Sequence, residues 1–221
     1  PVFMPVPNSN NLLFMYRNGG TGGGSGNGNE YLNIYNPTTN TWTNNLVING
    51  IANSVNAYVN SPVYDSQGNL LISWTWRSTP NWQTNSNIMY AQSPDNGTTW
   101  YHQGGTTQYT LPIIQSGSPA SSVGQVIKAI PQNSSFINQT SMTVDNNDRP
   151  IIATYYAPST SNPNRQYMLE YYTGTVWRTA QISQRVSDTA VDTSGANVRD
   201  LGRPVVLIDS ANRVFVVTRS Q

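Results

Sequence analysis

The chain has 221 residues, 37% of them hydrophobic, which is enough to build a substantial core. Eleven basic residues against ten acidic ones leave a net charge of +1 without a basic run, and this excludes a nucleic-acid binder that relies on clustered cations. The absence of cysteine and the single histidine exclude disulfides, thiolate chemistry and multi-histidine metal centres, and no apolar run is long enough to span a membrane.

One pattern recurs along the chain: a polar turn followed by a strand rich in β-branched and aromatic residues. In the first three copies a second strand and a short turn follow, and a tryptophan closes the unit after about 35 residues, a length typical of a propeller blade. The polar turns lie at 8–11, 65–69, 145–149 and 209–213, and the closing tryptophans are Trp42, Trp100 and Trp177.

These repeats predict an all-β fold, because no helical period persists along the chain. We expect one partial β-propeller over 1–221, built of four-stranded antiparallel blades that we label strands A to D from the inside out. About 3.5 blades fit into the chain, as part of a seven-bladed ring. Their expected bounds are approximately 1–47, 57–105, 139–183 and 203–221.

The sharpest local motif is the segment from Ser93 to Trp100, which reads Ser-Pro-Asp-Asn-Gly-Thr-Thr-Trp and fits the Asp-box pattern S-x-D-x-G-x-T-W. In this interpretation Asp95 caps backbone N–H groups, Gly97 takes a positive φ, and Trp100 packs between blades. The motif therefore indicates a fold rather than a catalytic site.

The two ends of the predicted blades differ in the length of their connections. The A–B and C–D turns are short, whereas the B–C and D–A connections are long and irregular, and long loops on a rigid scaffold are where binding residues concentrate. The long connections are expected over 18–29, 78–86 and 157–165, and over 48–57, 106–138 and 184–202.

Arginine recurs where the B strands leave the sheet onto this loop-rich face. A guanidinium binds carboxylate or sulfate through two parallel hydrogen bonds, so these positions predict a site for an acidic polysaccharide. The alternative is that each arginine pairs with an acid of the next blade. The candidate binding residues are Arg17, Asn56, Tyr58, Asn60, Trp76, Arg77, Asn85, Ser86, Asn138, Gln139, Tyr156, Arg165 and Arg219.

Three further features predict no cofactor. The glycine-rich stretch over 19–29 lacks the Gly-Lys-Ser/Thr ending of a phosphate-binding loop. Asp145 and Asp148 lack the spacing and the terminal glutamate of a calcium loop, so a turn is predicted there and a structural calcium ion is left as the alternative. His102 follows Trp100 on an outer strand, where a structural role is expected.

The segments NAYVNSPVYDSQGNLLISWTWR, NIMYAQSPDNGTTW and LGRPVVLIDSANRVFVVTR resemble the BNR/Asp-box repeat proteins. They are similar in particular to the seven-bladed propeller polysaccharide lyases that act on ulvan and rhamnose–glucuronate polymers. That resemblance implies β-elimination at a uronate, with histidines near one strand A and the end of its strand B. The corresponding stretches here, 56–61 and 74–86, contain none.

Three functional hypotheses remain open from the sequence. The first is an extracellular or surface-displayed module that binds acidic polysaccharide without cleaving it. The second is a lyase in which Arg77 neutralises the carboxylate and Tyr58 or Tyr156 moves the proton. The third is a structural or protein-interaction propeller of a surface assembly or a phage tail. In each case the chain is expected to belong to a longer polypeptide or assembly.

Overall fold

A computed structural model of the chain describes residues 1–19, 28–188 and 201–219. The regular elements in these ranges are β-strands, joined by turns and three short 3₁₀ helices at Ile51–Asn53, Trp82–Thr84 and Ala120–Ser122. The predicted all-β propeller-type fold is confirmed. Among the described residues, no helix has the length and apolar character needed to span a membrane.

The first blade contains five strands, in which the outermost position is shared by two short ones. They are β1 (Val2–Pro5), β2 (Leu12–Gly19), β3 (Gly28–Asn36), β4 (Thr41–Trp42) and β5 (Asn45–Ile48). The order β1-β2-β3 is antiparallel, and β4 and β5 both pair with β3. Most of the glycine-rich loop expected over 19–29 lies outside the described residues.

The second blade follows the same plan, with β6 (Asn56–Val59), β7 (Val63–Tyr64), β8 (Leu70–Arg77), β9 (Asn85–Ser93) and β10 (Gln125–Lys128). The sequence predicted one long loop over 106–138, but the outermost strand of this blade, β10, lies within that range. The chain makes a single bridge to β9 through Tyr101, bridges to β5 of the first blade through Ile113, and returns as β10 beside Ile88–Tyr90. The outer edge of β9 is therefore paired in two places by segments far apart in sequence.

The remaining strands form an antiparallel four-stranded sheet and a hairpin. The sheet contains β11 (Ser141–Val144), β12 (Pro150–Tyr156), β13 (Gln166–Tyr172) and β14 (Trp177–Gln181), in that order. The hairpin pairs β15 (Val205–Ile208) with β16 (Val214–Val217). We refer to these two units as the third and fourth blades.

The core lies between successive blades, because a B strand has neighbours on both of its faces. Along β8, alternate residues such as Trp74 and Trp76 pack with the first blade, whereas Leu71 packs with the third. Along β12, Ile152 faces the second blade and Ala153 the fourth. Such strands appear in the sequence as nearly continuous apolar runs, which is why they could be recognised from the sequence pattern.

Candidate functional site

The ends of β2 and β8 meet at the loop-rich face around one tyrosine ring of β6. The guanidinium carbons of Arg17 and Arg77 lie 4.8 and 5.7 Å from the centroid of Tyr58. Arg17 Nη1 donates a 2.6 Å hydrogen bond to Asn56 Oδ1. Four of the predicted residues thus come together across the first two blades, although they are spread over more than fifty positions of sequence.

The two blades can approach this closely because Gly28 has no side chain. Gly28 pairs in parallel with Asn56, and a Cβ atom at this glycine would lie 2.5 Å from Asn56 Oδ1 and 3.0 Å from Arg17 Cδ. A larger residue would push Asn56 away from the guanidinium it binds. The end of the glycine-rich loop therefore has a packing role beside the site.

A cavity of about 180 Å³ opens next to Tyr58, between the second and third blades. Five of the predicted residues line it, together with five that the sequence patterns did not single out. The lining residues are Tyr58, Arg77, Trp82, Asn85, Ser135, Ile137, Asn138, Gln139, Tyr155 and Arg203.

The loop after β8 holds two of these side chains in place. Arg77 Nε donates a 3.0 Å hydrogen bond to the Thr79 carbonyl, and Nη2 donates to the Pro80 carbonyl. Asn85 Nδ2 donates 2.7 Å to the Phe136 carbonyl, while its Oδ1 is buried without a hydrogen-bond partner among the described residues. This oxygen is shielded from solvent behind the cavity wall, so it is an unsatisfied polar group next to the cavity and not an atom that a ligand in the cavity contacts.

Arg203 is the charged residue of the cavity lining that sequence reasoning missed. Its Nε and Nη2 donate to the backbone and side-chain oxygens of Asn138 at 3.2 and 3.3 Å, so it crosses from the fourth blade to the cavity. A signal was available: Arg203 stands just before the first strand of its repeat, where Asn138 and Gln139 stand in the third.

The arginines of this face donate to neutral oxygens, so no acid among the described residues pairs with their positive charge. Within the described residues, Arg17, Arg77 and Arg203 form no ion pair with an acid. Glu30 faces Arg17 across the β2–β3 ladder, but burial raises the pKa of its carboxyl to about 8, against the smaller lowering by Arg17 and the N-terminus. The site is therefore electropositive near neutral pH.

Several predicted residues lie elsewhere. Trp76 is fully buried between the first two blades, edge-on to Trp74, where no ligand can stack on it. Asn60 is buried as well, with Nδ2 donating to Ser73 Oγ at 2.8 Å and Oδ1 accepting from the Thr140 backbone N–H at 2.6 Å. Ser86 is half-buried and does not line the cavity.

The two remaining arginines also lie outside the cavity. Arg165 is fully buried and forms a bidentate ion pair with Asp188, with both N–O distances at 2.5 Å, so here the alternative of an acid partner holds. Arg219 is exposed, and its main-chain carbonyl accepts bonds from the Gly202 N–H and the Tyr167 hydroxyl.

Neither the second tyrosine candidate nor the histidine is suited to remove a proton at this cavity. The Tyr156 hydroxyl donates 2.8 Å to Glu170, and burial followed by the charge of Glu170 raises the pKa of that phenol far above its ordinary range. His102 lies outside the cavity lining, 4.3 Å from the Tyr109 ring, and burial lowers its pKa. In the part of the chain that the structure describes, no cluster of His, Cys, Asp and Glu could hold a metal ion.

Comparison with known protein families assigns this chain to one of them. Residues 1–185 match the family described as BNR repeat-containing family members. The chain belongs to this family. No curated protein matches it.

Solved structures similar to this BNR repeat protein share its fold at low identity. An ulvan lyase of a new polysaccharide lyase family has a TM-score of 0.58 at 10% identity, and the match covers 80% of this chain and 42% of the lyase chain. A second polysaccharide lyase has a TM-score of 0.58 at 17% identity, and the match covers 100% of this chain and 46% of that lyase. A Dyadobacter fermentans protein of unknown function has a TM-score of 0.54 at 14% identity, covering 99% and 61%. The chain spans less than half the length of these two lyases.

Proposed function

We propose that this propeller binds an acidic polysaccharide on its loop-rich face, with one anionic sugar unit in the 180 Å³ cavity. One observation carries the proposal: the cavity brings together Arg77 and Arg203, without an acidic residue among the described residues of its wall. Their guanidinium groups fit a carboxylate or sulfate.

The size and lining of the cavity support a single sugar unit as the occupant. Its volume is below the roughly 300–1,000 Å³ of pockets that hold a whole drug-sized ligand. Trp82, Ile137 and Tyr155 supply apolar surface beside the polar groups, and a sugar ring presents both C–H faces and hydroxyls. A polymer would continue from this unit along the surface.

The structural neighbours support the same class of ligand. One structure of the ulvan lyase is described as bound to -[GlcA(1-4)Rha3S]-, a uronate-containing and sulfated fragment. By analogy we propose an extracellular or surface-displayed setting for this chain, within a longer polypeptide or assembly. We also propose that it forms one partial propeller with blades at approximately 1–47, 57–105, 139–183 and 203–221.

The test is binding to a glucuronate-containing polysaccharide, measured by affinity electrophoresis and calorimetry. Arg77→Ala and Arg203→Ala should each weaken binding about tenfold or more, because each removes a charge-assisted contact. Arg149→Ala is the matched control, since it removes one positive charge from the turn at the other end of β12. Equal binding by all four proteins, or no binding to any acidic polymer, would refute the proposal and favour a structural or protein-interaction role.

Lyase activity is the second candidate, and the cavity favours it in one respect. Arg77 and Arg203 could neutralise a uronate carboxylate, which is the group whose charge must be stabilised as the neighbouring proton is removed. Tyr58 and Tyr155 are the two phenols in the cavity lining, and of these Tyr58 is the one that also contacts Arg17 and Arg77, so we assign the proton transfer to Tyr58. Incubation with the polymer should then generate ultraviolet absorbance from an unsaturated product, and Tyr58→Phe should abolish it. Binding without this absorbance assigns a binding module.

A further inference from the structure

A second and larger opening lies beside the cavity. This groove, of about 580 Å³, runs between residues 128–135 and residues 156–163, with Met168 of β13 and Thr179 of β14 in its wall. Ser135 lines both the groove and the 180 Å³ cavity, so the two openings adjoin at this residue. We call it the Lys128 groove.

Lys128 is the one lysine of the sequence and the one charged side chain among the described residues that line the groove. Its Nζ donates a 2.9 Å hydrogen bond to Thr179 Oγ1, and the Thr179 hydroxyl donates 2.5 Å to Glu170 Oε2. The other carboxyl oxygen of Glu170 accepts from Tyr156 at 2.8 Å. This chain of hydrogen bonds holds the Lys128 ammonium in place and uses one of the three N–H donors of that group.

Glu170 lies behind the groove wall rather than in it. Its side chain is almost completely buried, and it is not among the lining residues. Burial is the largest influence on its carboxyl and raises the pKa. Lys128 is therefore the charged group that a bound molecule would contact directly, because Glu170 is shielded behind the wall.

The rest of the groove has the mixed character that sugars require. Its floor is apolar, formed by the buried residues Ile130, Tyr156 and Met168. Its rim carries hydroxyl and amide groups, among them Ser159 and Asn133. Sugar hydroxyls can bond to the rim while C–H faces lie on the floor. An apolar peptide would leave this polar rim without partners.

We propose that the Lys128 groove is a second subsite for the same polysaccharide chain, with an anionic sugar unit bound at Lys128. This inference rests on the proposed function, because the unit in the groove belongs to the polymer whose neighbouring segment occupies the cavity. The cavity holds one unit, and the groove, about three times larger in volume, extends recognition along the chain.

Chain length separates the two subsites experimentally. We would measure the affinity of the wild type for a disaccharide and an octasaccharide from an unsulfated glucuronate polymer. The variants are Lys128→Gln, Lys128→Arg and Arg77→Ala, with Arg149→Ala as the charge-matched control. Circular dichroism and the unfolding midpoint would confirm that each variant folds.

The wild type should bind the octasaccharide more tightly than the disaccharide. Lys128→Gln should lower the affinity for the octasaccharide about tenfold and leave the affinity for the disaccharide unchanged. Lys128→Arg should keep most of the wild-type affinity for the octasaccharide. Arg77→Ala should weaken both ligands. An octasaccharide affinity that is insensitive to Lys128→Gln overturns the second subsite while leaving the cavity intact, whereas failure of both ligands to bind the wild type overturns the proposed function and this inference with it.

Discussion

The two ends of the blades use their charged residues in opposite ways. At the short-turn end, carboxylates cap the backbone: Asp145 Oδ1 accepts the N–H groups of Asn147 and Arg149 at 2.8 and 2.9 Å. Asp65 and Asp209 make the same contacts in the neighbouring repeats. Such bonds stabilise tight turns and hold these carboxylates against the backbone.

At the loop-rich end the cations bind neutral oxygens instead. Arg17, Arg77 and Arg203 donate to amide or carbonyl groups, and the buried Asn85 oxygen lacks a partner among the described residues. We infer from this difference that the short-turn end serves stability, and the binding site that we propose lies at the loop-rich end. The following predictions test that division, from the largest expected effect to the smallest.

Replacement of Trp100 should have the largest effect on stability. Its ring is fully buried between the first two blades, and its Nε1 donates 3.1 Å to the Gly97 carbonyl. Trp100→Ala should lower the free energy of unfolding by about 3–5 kcal/mol in urea titrations. Trp42 closes the first repeat but is 50% exposed, and Trp42→Ala should cost about 1 kcal/mol or less. Equal losses at the two tryptophans would contradict this account of the core.

Glu30 provides a pH-dependent test of the loop-rich end. Its folded pKa of about 8 exceeds the ordinary value of 4.5, so the folded state retains a proton that the unfolded chain releases. Stability should therefore fall as the pH rises from about 4.5 to 8 and remain reduced above that range. Glu30→Gln should remove this part of the loss, on the order of a few kcal/mol. Denaturant titrations at pH 5 and pH 9 would measure it, and parallel curves for the two proteins would contradict it.

Asp95 should affect stability without affecting binding. Its carboxylate accepts the Thr99 N–H at 2.8 Å and the Thr99 hydroxyl at 2.7 Å, and these bonds outweigh partial burial and lower its pKa. Asp95→Ala should cost about 1 kcal/mol of unfolding free energy and leave polysaccharide affinity unchanged. Arg77→Ala should show the reverse pattern. A loss of affinity in Asp95→Ala with intact folding would break the division between the two ends.

The smallest effect is expected at a bond between neighbouring blades. Asp148 accepts from the Ser66 N–H at 2.8 Å and the Ser66 hydroxyl at 2.7 Å, joining the turns of the second and third blades. Asp148→Ala should cost about 0.5–1 kcal/mol. A double-mutant cycle with Ser66→Ala would give the coupling between the two side chains. A coupling of zero would show that the turns are independent.

The local pattern of this chain identified the strands and the turns, and with them the arginines at the strand ends. Each of those features depends on neighbours in sequence, such as the alternation along β8 or the polar turn before it. The same reasoning could not separate Arg77 from Arg165, since both are basic residues beside a long loop. It also could not show that Trp76, next to Arg77, lies in the core. The direction of a side chain depends on the twist of the sheet and on the blade that packs against it.

The amino-acid order by itself determined that this protein is an all-β repeat with its long loops, and several arginines at the ends of its strands, on one side, because repeated turns and apolar strands encode that pattern locally. Tertiary structure alone decided which cations share a cavity, because Arg77, Asn138 and Arg203 come from three blades and meet only when the blades pack. It also decided which of them pair with an acid. Arg165 meets Asp188 in the interior, whereas Arg77 and Arg203 meet neutral oxygens at the surface.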